Sequence, residues 1–387
     1  MDRTLVKNIK SSFIDTFGTE PILVFSPGRI NIIGEHTDYN DGFVFPAAVD
    51  KGIVAAIGKS GSDISMAYAV DKQETLAFSL TDIKPLAEGT WQNYILGVVA
   101  EVQNRSKVID NFNIAFGGNI PGGAGMSSSA ALENSVVFGL NVVFDLGLSK
   151  HEMILISQNA EHNYVGVKCG IMDQYASMFG IENNALLLDC RTVRSKPFEM
   201  DLKDHELILI NTNVKHSLSD SAYNDRRSVC ESVAGMLHVK ALRDADKFHL
   251  ESVKDKLTPE NYQKALYVIQ ENDRAVKASK AMEYGDLKAL GALIYASHEG
   301  LQKQYKVSCN ELDFLVNQAK LNGHVLGARM MGGGFGGCTI NLIKKSESES
   351  FKSRVSEAYK NKFNKDCSIY SVKLSNGTAL INQPNSY

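Results

Sequence analysis

The chain has 387 residues, 44% of them hydrophobic and 22% charged, the composition of an ordinary globular protein with room for two domains. Its formal net charge of −3 excludes the basic footprint of a nucleic-acid or anionic-membrane binder, and no apolar run approaches the roughly eighteen residues of a membrane span. The six cysteines (Cys169, Cys190, Cys230, Cys309, Cys338 and Cys367) lie scattered without a C-x-x-C pair. That pattern argues against a zinc site or disulfide framework and predicts reduced thiols in a cytoplasmic protein.

Along the chain, Leu5, Ile9, Phe13 and Phe17 recur every fourth residue, which predicts an amphipathic first helix docked on the core and not the apolar core of a signal peptide. Strand-like runs follow at 22–33, 43–50, 52–58, 63–70 and 76–80, punctuated by Gly, Asp and Ser. A helix is expected over Trp91 to Asn104 and a strand over Phe112–Phe116. A glycine loop then leads into a helix from Ser128 to about Phe144, followed by helices near 150–163 and 172–179 and a strand at Ala185–Asp189. Around Arg191–Asp204 the pattern turns polar and irregular, and the domain boundary is placed there, between an N-terminal domain over 1–200 and a C-terminal domain over 205–387. The second half reads as a strand at Leu207–Asn211 and helices at 219–236, 258–282, 285–302 and 310–322. A strand at His324–Met331, a glycine loop at 332–337, a strand at Thr339–Ile343, a helix over 346–362 and a last strand near 368–373 complete it. Helices and strands mixed in both halves predict an α+β fold of two domains with the ligands in the cleft between them.

Four segments carry chemistry. Ser26 to Gly42 sets Arg29, Asn31, Glu35, His36, Asp38 and Asp41 among glycines between two apolar strands. By composition it is an ordinary polar turn; a hydroxyl-rich ligand would equally supply the partners that such a cluster needs. Pro121 to Ala131 holds three glycines within a loop and three serines where a helix begins. Glycines admit close backbone approach, and an uncapped helix N-terminus binds phosphate. One serine suffices for capping, so the segment is read as a phosphate cradle, although it is neither a Walker A loop nor a nucleophile elbow. Gly332–Gly337 satisfies G-x-G-x-x-G mechanically, yet a strand and not a helix follows. Its five glycines imply that something packs against bare backbone, such as the phosphate loop or a substrate. In the fourth segment, Cys169 to Tyr175, Asp173 at the start of a short helix is as well explained by capping, and Glu161, upstream of it near a helix end, by solvation.

The order Gly-Arg-x-Asn-x-x-Gly-Glu-His-Thr-Asp-Tyr-x-x-Gly over residues 28–42 resembles the signature of galactokinases. Together with the Pro-x-Gly-x-Gly-x-Ser-Ser-Ser-Ala loop, the 332–337 cluster, Asn211-Thr212-Asn213 and Tyr223 to Arg227, the chain is similar to the GHMP superfamily of small-molecule kinases from about residue 20 to 345. The resemblance implies a two-domain GHMP kinase fold with its active site in the cleft. It also implies phosphorylation of galactose at the anomeric C1 hydroxyl by ATP with Mg2+, the entry step of galactose metabolism, in a cytoplasmic monomer.

Residue by residue, it makes Asp173 the carboxylate beside the anomeric hydroxyl and Arg29 the adjoining cation. Glu35, His36, Thr37 and Asp38 would hold sugar hydroxyls, with the Gly170 backbone and the Tyr223 side chain. Gly123, Ala124, Gly125, Met126, Ser127, Ser128 and Ser129 would cradle the ATP phosphates, and Ser129 and Glu161 would ligate magnesium. An arginine beside Asp173 weakens it as a base, which a late proton transfer tolerates; Asp173 is expected to accept the proton while Arg29 orients it and stabilises phosphoryl charge. Met126 and Met331 depart from the common Leu and Thr without changing this expectation. Rival readings are a kinase for another sugar such as N-acetylgalactosamine and a non-catalytic galactose sensor, against which the intact Ser127–Ala131 run argues. Adenine contacts are left open, with Trp91 and Tyr94 as possible stacking partners and Trp91 better read as core.

Overall fold

The computed structural model describes residues 2–215 and 219–381. In the first half, helix α1 (Arg3–Phe17) precedes strands β1 (Ile22–Asn31), β2 (Phe43–Val44), β3 (Pro46–Lys59), β4 (Ser65–Ala69) and β5 (Glu74–Phe78). Helix α2 (Trp91–Asn104), β6 (Phe112–Gly118), α3 (Ser128–Val143), α4 (Lys150–Ala160), α5 (Met172–Phe179), β7 (Asn184–Asp189) and β8 (Arg194–Glu199) follow. The second half runs β9 (His205–Lys215), α6 (Ser219–Met236), α7 (Lys247–Glu251), α8 (Pro259–Glu283), α9 (Leu287–Gly300), α10 (Asn310–Lys320), β10 (Val325–Met330), β11 (Gly336–Lys344), α11 (Ser348–Phe363), β12 (Ser368–Ser371) and β13 (Ala379–Leu380).

The six-stranded sheet has the order β13-β1-β3-β6-β4-β5 and packs α2, α3, α4 and α5 on it around Trp91, Ile95, Val136, Leu140 and Met178. The α1 stripe is as the periodicity predicts: Ile9 and Phe13 are fully buried against Val54 and Ala56 of β3. Asp2 caps the start of α1 and Gly18, at φ +71°, ends it. The second half is built on a four-stranded sheet, β10-β11-β9-β12, with α9 and α10 against β10. A third sheet, β2-β7-β8, stands between them.

The structure departs from the periodicity reading at three places. The expected strands 43–50 and 52–58 resolve into β2 and the single long strand β3, because Gly52 is not a break but a point of close approach. A Cβ there would sit 2.7 Å from the Phe25 ring of the neighbouring strand. The polar stretch 191–204 contains strand β8, whose alternation is hidden because one face is charged and exposed while Phe198 is buried. The chain end crosses back to the first sheet, where Leu380 pairs with Val24; two residues of strand offer no periodicity to read. No helix among the described residues is long and apolar enough to cross a membrane.

Helix α9 approaches β10 through a pair of glycines: a Cβ on Gly327 would lie 2.6 Å from the Gly291 carbonyl oxygen and 2.7 Å from its Cα. Alanine in place of glycine within a strand is normally favourable. Here the clash is with backbone, so Gly327→Ala should lower the unfolding free energy by about 1–3 kcal/mol in urea titration.

Candidate active site

The loop between β6 and α3 and the start of α3 form one wall. Gly123 and Gly125 take φ of +68° and +66°, and Ser127, at φ +55°, begins the helix without a side-chain cap. The first N–H groups of α3 are therefore not occupied by the serines, and the Ser127 hydroxyl is itself buried without a partner. The third glycine cluster packs on this loop. A Cβ on Gly125 would lie 3.2 Å from the Met331 carbonyl, and one on Gly337 would lie 3.4 Å from the Gly123 carbonyl.

Arg29 joins this loop to the opposite wall. Its Nε and Nη2 donate to the two oxygens of Asp173 at 2.8 and 2.6 Å, a bidentate fork, while Nη1 donates to the Gly125 carbonyl. Burial opposes the guanidinium charge, but Asp173, Glu35 and Asp38 outweigh it and raise the Arg29 pKa. Asp173 does not cap α5, whose N-cap position is Ile171 with no side-chain bond. Its carboxylate is 24% exposed and faces a cavity of about 270 Å³ lined also by Glu35, His36, Asp38, Glu161 and Tyr223.

The 34–42 segment forms the cavity floor, and its residues divide. Glu35 is buried; its Oε1 accepts from Arg329 Nη1 and Nη2, both at 3.1 Å, and from the Gly332 N–H at 2.8 Å. Asp38 presses against Gly170 so closely that a Cβ at 170 would overlap the carboxyl group. Burial and the neighbouring Asp173 push the Asp38 carboxyl up to about 7. His36 stands against Tyr223 with ring centroids 5.2 Å apart, and burial pulls its imidazole down to about 3. Thr37 does not line the cavity: fully buried, it donates to the carbonyls of Gly34 (2.8 Å) and Phe43 (2.7 Å) and holds the turn closed. Asn31 has the structural role expected of an unassigned polar residue, accepting the Phe45 N–H at 3.3 Å.

Several supporting residues carry no sequence motif. Arg329 on β10 is one; on α8, Tyr267 donates to the Glu35 carbonyl (3.0 Å), while Glu271 and Asn272 accept from the N–H groups of Gly34 (2.9 Å) and Phe43 (2.8 Å). The only available signals were a charged residue within an apolar strand and another on the buried face of a long helix.

Glu161 closes α4 and opens a π-turn, Glu161–Val165. It is 6% exposed, with Ser129 and Cys169 beside it, and burial pushes its carboxyl up to about 7. Glu133, buried behind it, is pushed well above the carboxylate range by burial and by Glu161. So many acids around one arginine favour an added cation. Glu161 and Ser129 offer hard oxygen donors, and no group of three or more His, Cys, Asp or Glu side chains among the described residues makes a closed metal site. An open two-ligand site completed by water and phosphate suits magnesium. On the far side of Ser129 lies a second cavity of about 450 Å³, lined by Trp91, Tyr94, Phe116 and Leu132.

Profiles of the GHMP kinase N-terminal and C-terminal domains match residues 93–181 and 275–361, so the fold and its phosphate loop are those of a GHMP kinase. The galactokinase galactose-binding signature matches residues 11–59. A galactokinase of Thermotoga petrophila is 40% identical over 358 residues (92% of this chain, 99% of that one), and one of Clostridium perfringens is 38% identical over 381 residues (96% and 98%). The crystal structure of Lactococcus lactis galactokinase complexed with galactose superposes with a TM-score of 0.93 at 32% identity, covering 97% of this chain and 99% of that one. The chain belongs to the galactokinase family.

Two outcomes follow from the contact between Asp38 and Gly170. Gly170→Ala should displace the Asp38 carboxyl and raise KM for the sugar at least tenfold while leaving KM for ATP within twofold, measured by steady-state kinetics. The raised pKa also has a sign. With a folded value of about 7 against 3.8 unfolded, Asp38 favours folding only while protonated. Its contribution is fully present below about pH 4 and lost as pH rises through 7. Asp38→Asn should therefore gain stability relative to the unsubstituted, ligand-free protein between pH 5 and 8, read as a widening difference in Tm.

Proposed function

We propose that Asp173 accepts the proton of the anomeric C1 hydroxyl of α-D-galactose as that oxygen takes the γ-phosphoryl group of ATP, giving α-D-galactose 1-phosphate and ADP. The observation that carries this reading is the Arg29–Asp173 fork, which stands between the Gly125 carbonyl of the phosphate loop and the cavity floored by Glu35 and Asp38. Each Asp173 oxygen accepts one N–H from Arg29 and keeps a lone pair for the substrate hydroxyl. A carboxylate is a weak base for a sugar hydroxyl. In a loose transition state the attacking oxygen sheds its proton late, so a weak, well-placed base suffices. Arg29 holds that base in place and offers its charge to the phosphoryl group.

The uncapped start of α3 and the 123–129 backbone would receive the phosphates, the helix dipole and N–H groups matching their charge. Ser129 and Glu161 would hold Mg2+, which when bound neutralises phosphate charge. The Trp91–Tyr94 cavity adjoining Ser129 is apolar enough for the adenine. Trp91, 5% exposed and donating through Nε1 to Glu74 at 2.7 Å, would serve as its fixed wall. Glu35 and Asp38 would select galactose, since an epimer lacking the matched hydroxyl leaves a buried carboxyl unpartnered. Six free cysteines support a cytoplasmic setting.

Asp173→Asn should lower kcat by about 10²–10⁴-fold with little change in KM. Nearly full kcat at unchanged affinity would remove the base. An ATP-consumption assay over galactose, glucose, talose, galactosamine and N-acetylgalactosamine tests the substrate: turnover of galactose is expected, and turnover confined to N-acetylgalactosamine would overturn it.

A further inference from the structure

Behind His36 lies a chain of hydrogen bonds that the phosphoryl-transfer chemistry does not use. His36 Nδ1 is 2.8 Å from the Tyr39 hydroxyl, which is 2.7 Å from the Tyr305 hydroxyl, which is 3.3 Å from Cys230 Sγ; on its other side His36 Nε2 is 3.2 Å from the Gly333 carbonyl. His36 is 4% exposed, Cys230 1%, and Tyr305 fully buried.

The chemistry of the partners assigns the proton positions in this chain. A carbonyl oxygen only accepts, so Nε2 carries a hydrogen. Burial, with Arg226 and Arg329 nearby, keeps the ring neutral at working pH, so Nδ1 is bare and must accept. Tyr39 therefore donates to His36, Tyr305 donates to Tyr39, and the Cys230 thiol donates to Tyr305. Flipping the ring would set carbon against both Tyr39 and Gly333, so no other arrangement satisfies the partners.

Tyr305 reaches this position by an irregular route. Helix α9 ends in a π-turn, Leu301–Tyr305, followed by Lys306 at φ +57°. Arg226 on α6 fastens the turn, donating to the carbonyls of Tyr305 (2.9 Å) and Lys306 (3.0 Å). The next residue, Val307, accepts the Phe335 N–H at 2.7 Å, and a Cβ on Gly334 would overlap its carbonyl. One short segment thus braces the 332–335 glycine loop directly through Val307 and again through Tyr305, Tyr39 and His36. Gly332, Gly333 and Gly334 line the cavity beside Glu35, and Gly333 packs on Tyr223.

We infer that Tyr305 is a positioning residue for sugar recognition: through Tyr39 it locks His36 as the Nε2–H tautomer, and that N–H pins the Gly333 carbonyl so that the glycine loop keeps the shape of the sugar site. The inference rests on the reading of this cavity as the sugar site. It assigns His36 a bracing task, since both of its ring nitrogens are already committed within the protein.

Three measurements test it. Long-range 1H–15N NMR of the ligand-free protein should find His36 neutral with the proton on Nε2; a proton on Nδ1 or a cationic ring would overturn the lock whatever the substrate proves to be. Tyr305→Phe removes one oxygen and should raise KM for galactose by about 2- to 10-fold, the worth of one buried hydrogen bond, with kcat and KM for ATP within twofold. An unchanged KM, or a fall confined to kcat, would overturn it. Because the links act in series, Tyr39→Phe/Tyr305→Phe should match Tyr39→Phe alone, and additive effects would show two independent packing roles instead. Absence of galactose turnover by the unsubstituted protein would fail the site reading itself, a different result from any of these.

Discussion

Arg329 is the constraint on which the site depends. Its side chain is fully buried, and a guanidinium is tolerated there only when its donors are met. All five are: Nε donates to the Ile32 carbonyl at 2.9 Å, Nη1 to Glu35 and the Met330 carbonyl, and Nη2 to Glu35 and the Asn31 carbonyl. Four of these bonds run from the C-terminal sheet into the signature segment, at the end of β1 and just after it. The pair is therefore worth little as net attraction, but breaking it would strand a charge in the interior. It fixes where Glu35 stands relative to Gly332, and hence where the sugar-binding turn stands relative to the glycine loop packed on the phosphate cradle.

With that register fixed, the cleft keeps its charges in a poised arrangement. Arg29 satisfies Asp173, while Asp38 and Glu161 are left near neutrality by burial and by their acidic neighbours. In the proposed roles, a sugar hydroxyl offered to Asp38, or a cation offered to Glu161, would meet a carboxyl that burial and like charges disfavour in its ionised form. Thr37, Glu271 and Asn272 are the opposite case, with hydrogen bonds made to the backbone within the protein, and they belong to the scaffold. The proposed binding groups and the supporting groups thus differ in whether the protein itself already matches their charge and polar atoms.

That separation explains what was legible. The signature and the phosphate loop are local in sequence: Arg29, Glu35 and Asp38 lie within ten residues of one another, and a glycine–serine run before a helix has a physical reading of its own. Asp173 and Glu161 were not readable as residues, since a carboxylate near a helix end has commoner explanations, and they became assignable only through the family resemblance. Arg329, Glu271 and Tyr305 bond to partners more than 200 residues away, and nothing adjacent to them marks the bond. The same holds for β13, whose two residues pair with a strand at the other end of the chain.

The two π-turns show why the remaining geometry could not be read from periodicity. In a regular helix each residue advances by about 100°, and reading α4 and α9 at that pitch runs both helices straight on. In each, the last turn instead widens by a residue and closes on the carbonyl at its start. Gly166 and Val167 donate to Glu161, and Val307 donates to Leu301. The first widening turns the chain toward Cys169 and Gly170, against Asp38; the second turns it toward Val307, against Gly334. Such turns forgo regular hydrogen bonding and persist where tertiary contacts over-determine them. Arg226 and the Tyr39–His36 chain do so for the second; at the first, Asn163 donates to Glu101 at 2.9 Å and Tyr164 to the Ile83 carbonyl at 3.1 Å. The two deviations from helical geometry thus fall where the chain leaves the scaffold and enters the site.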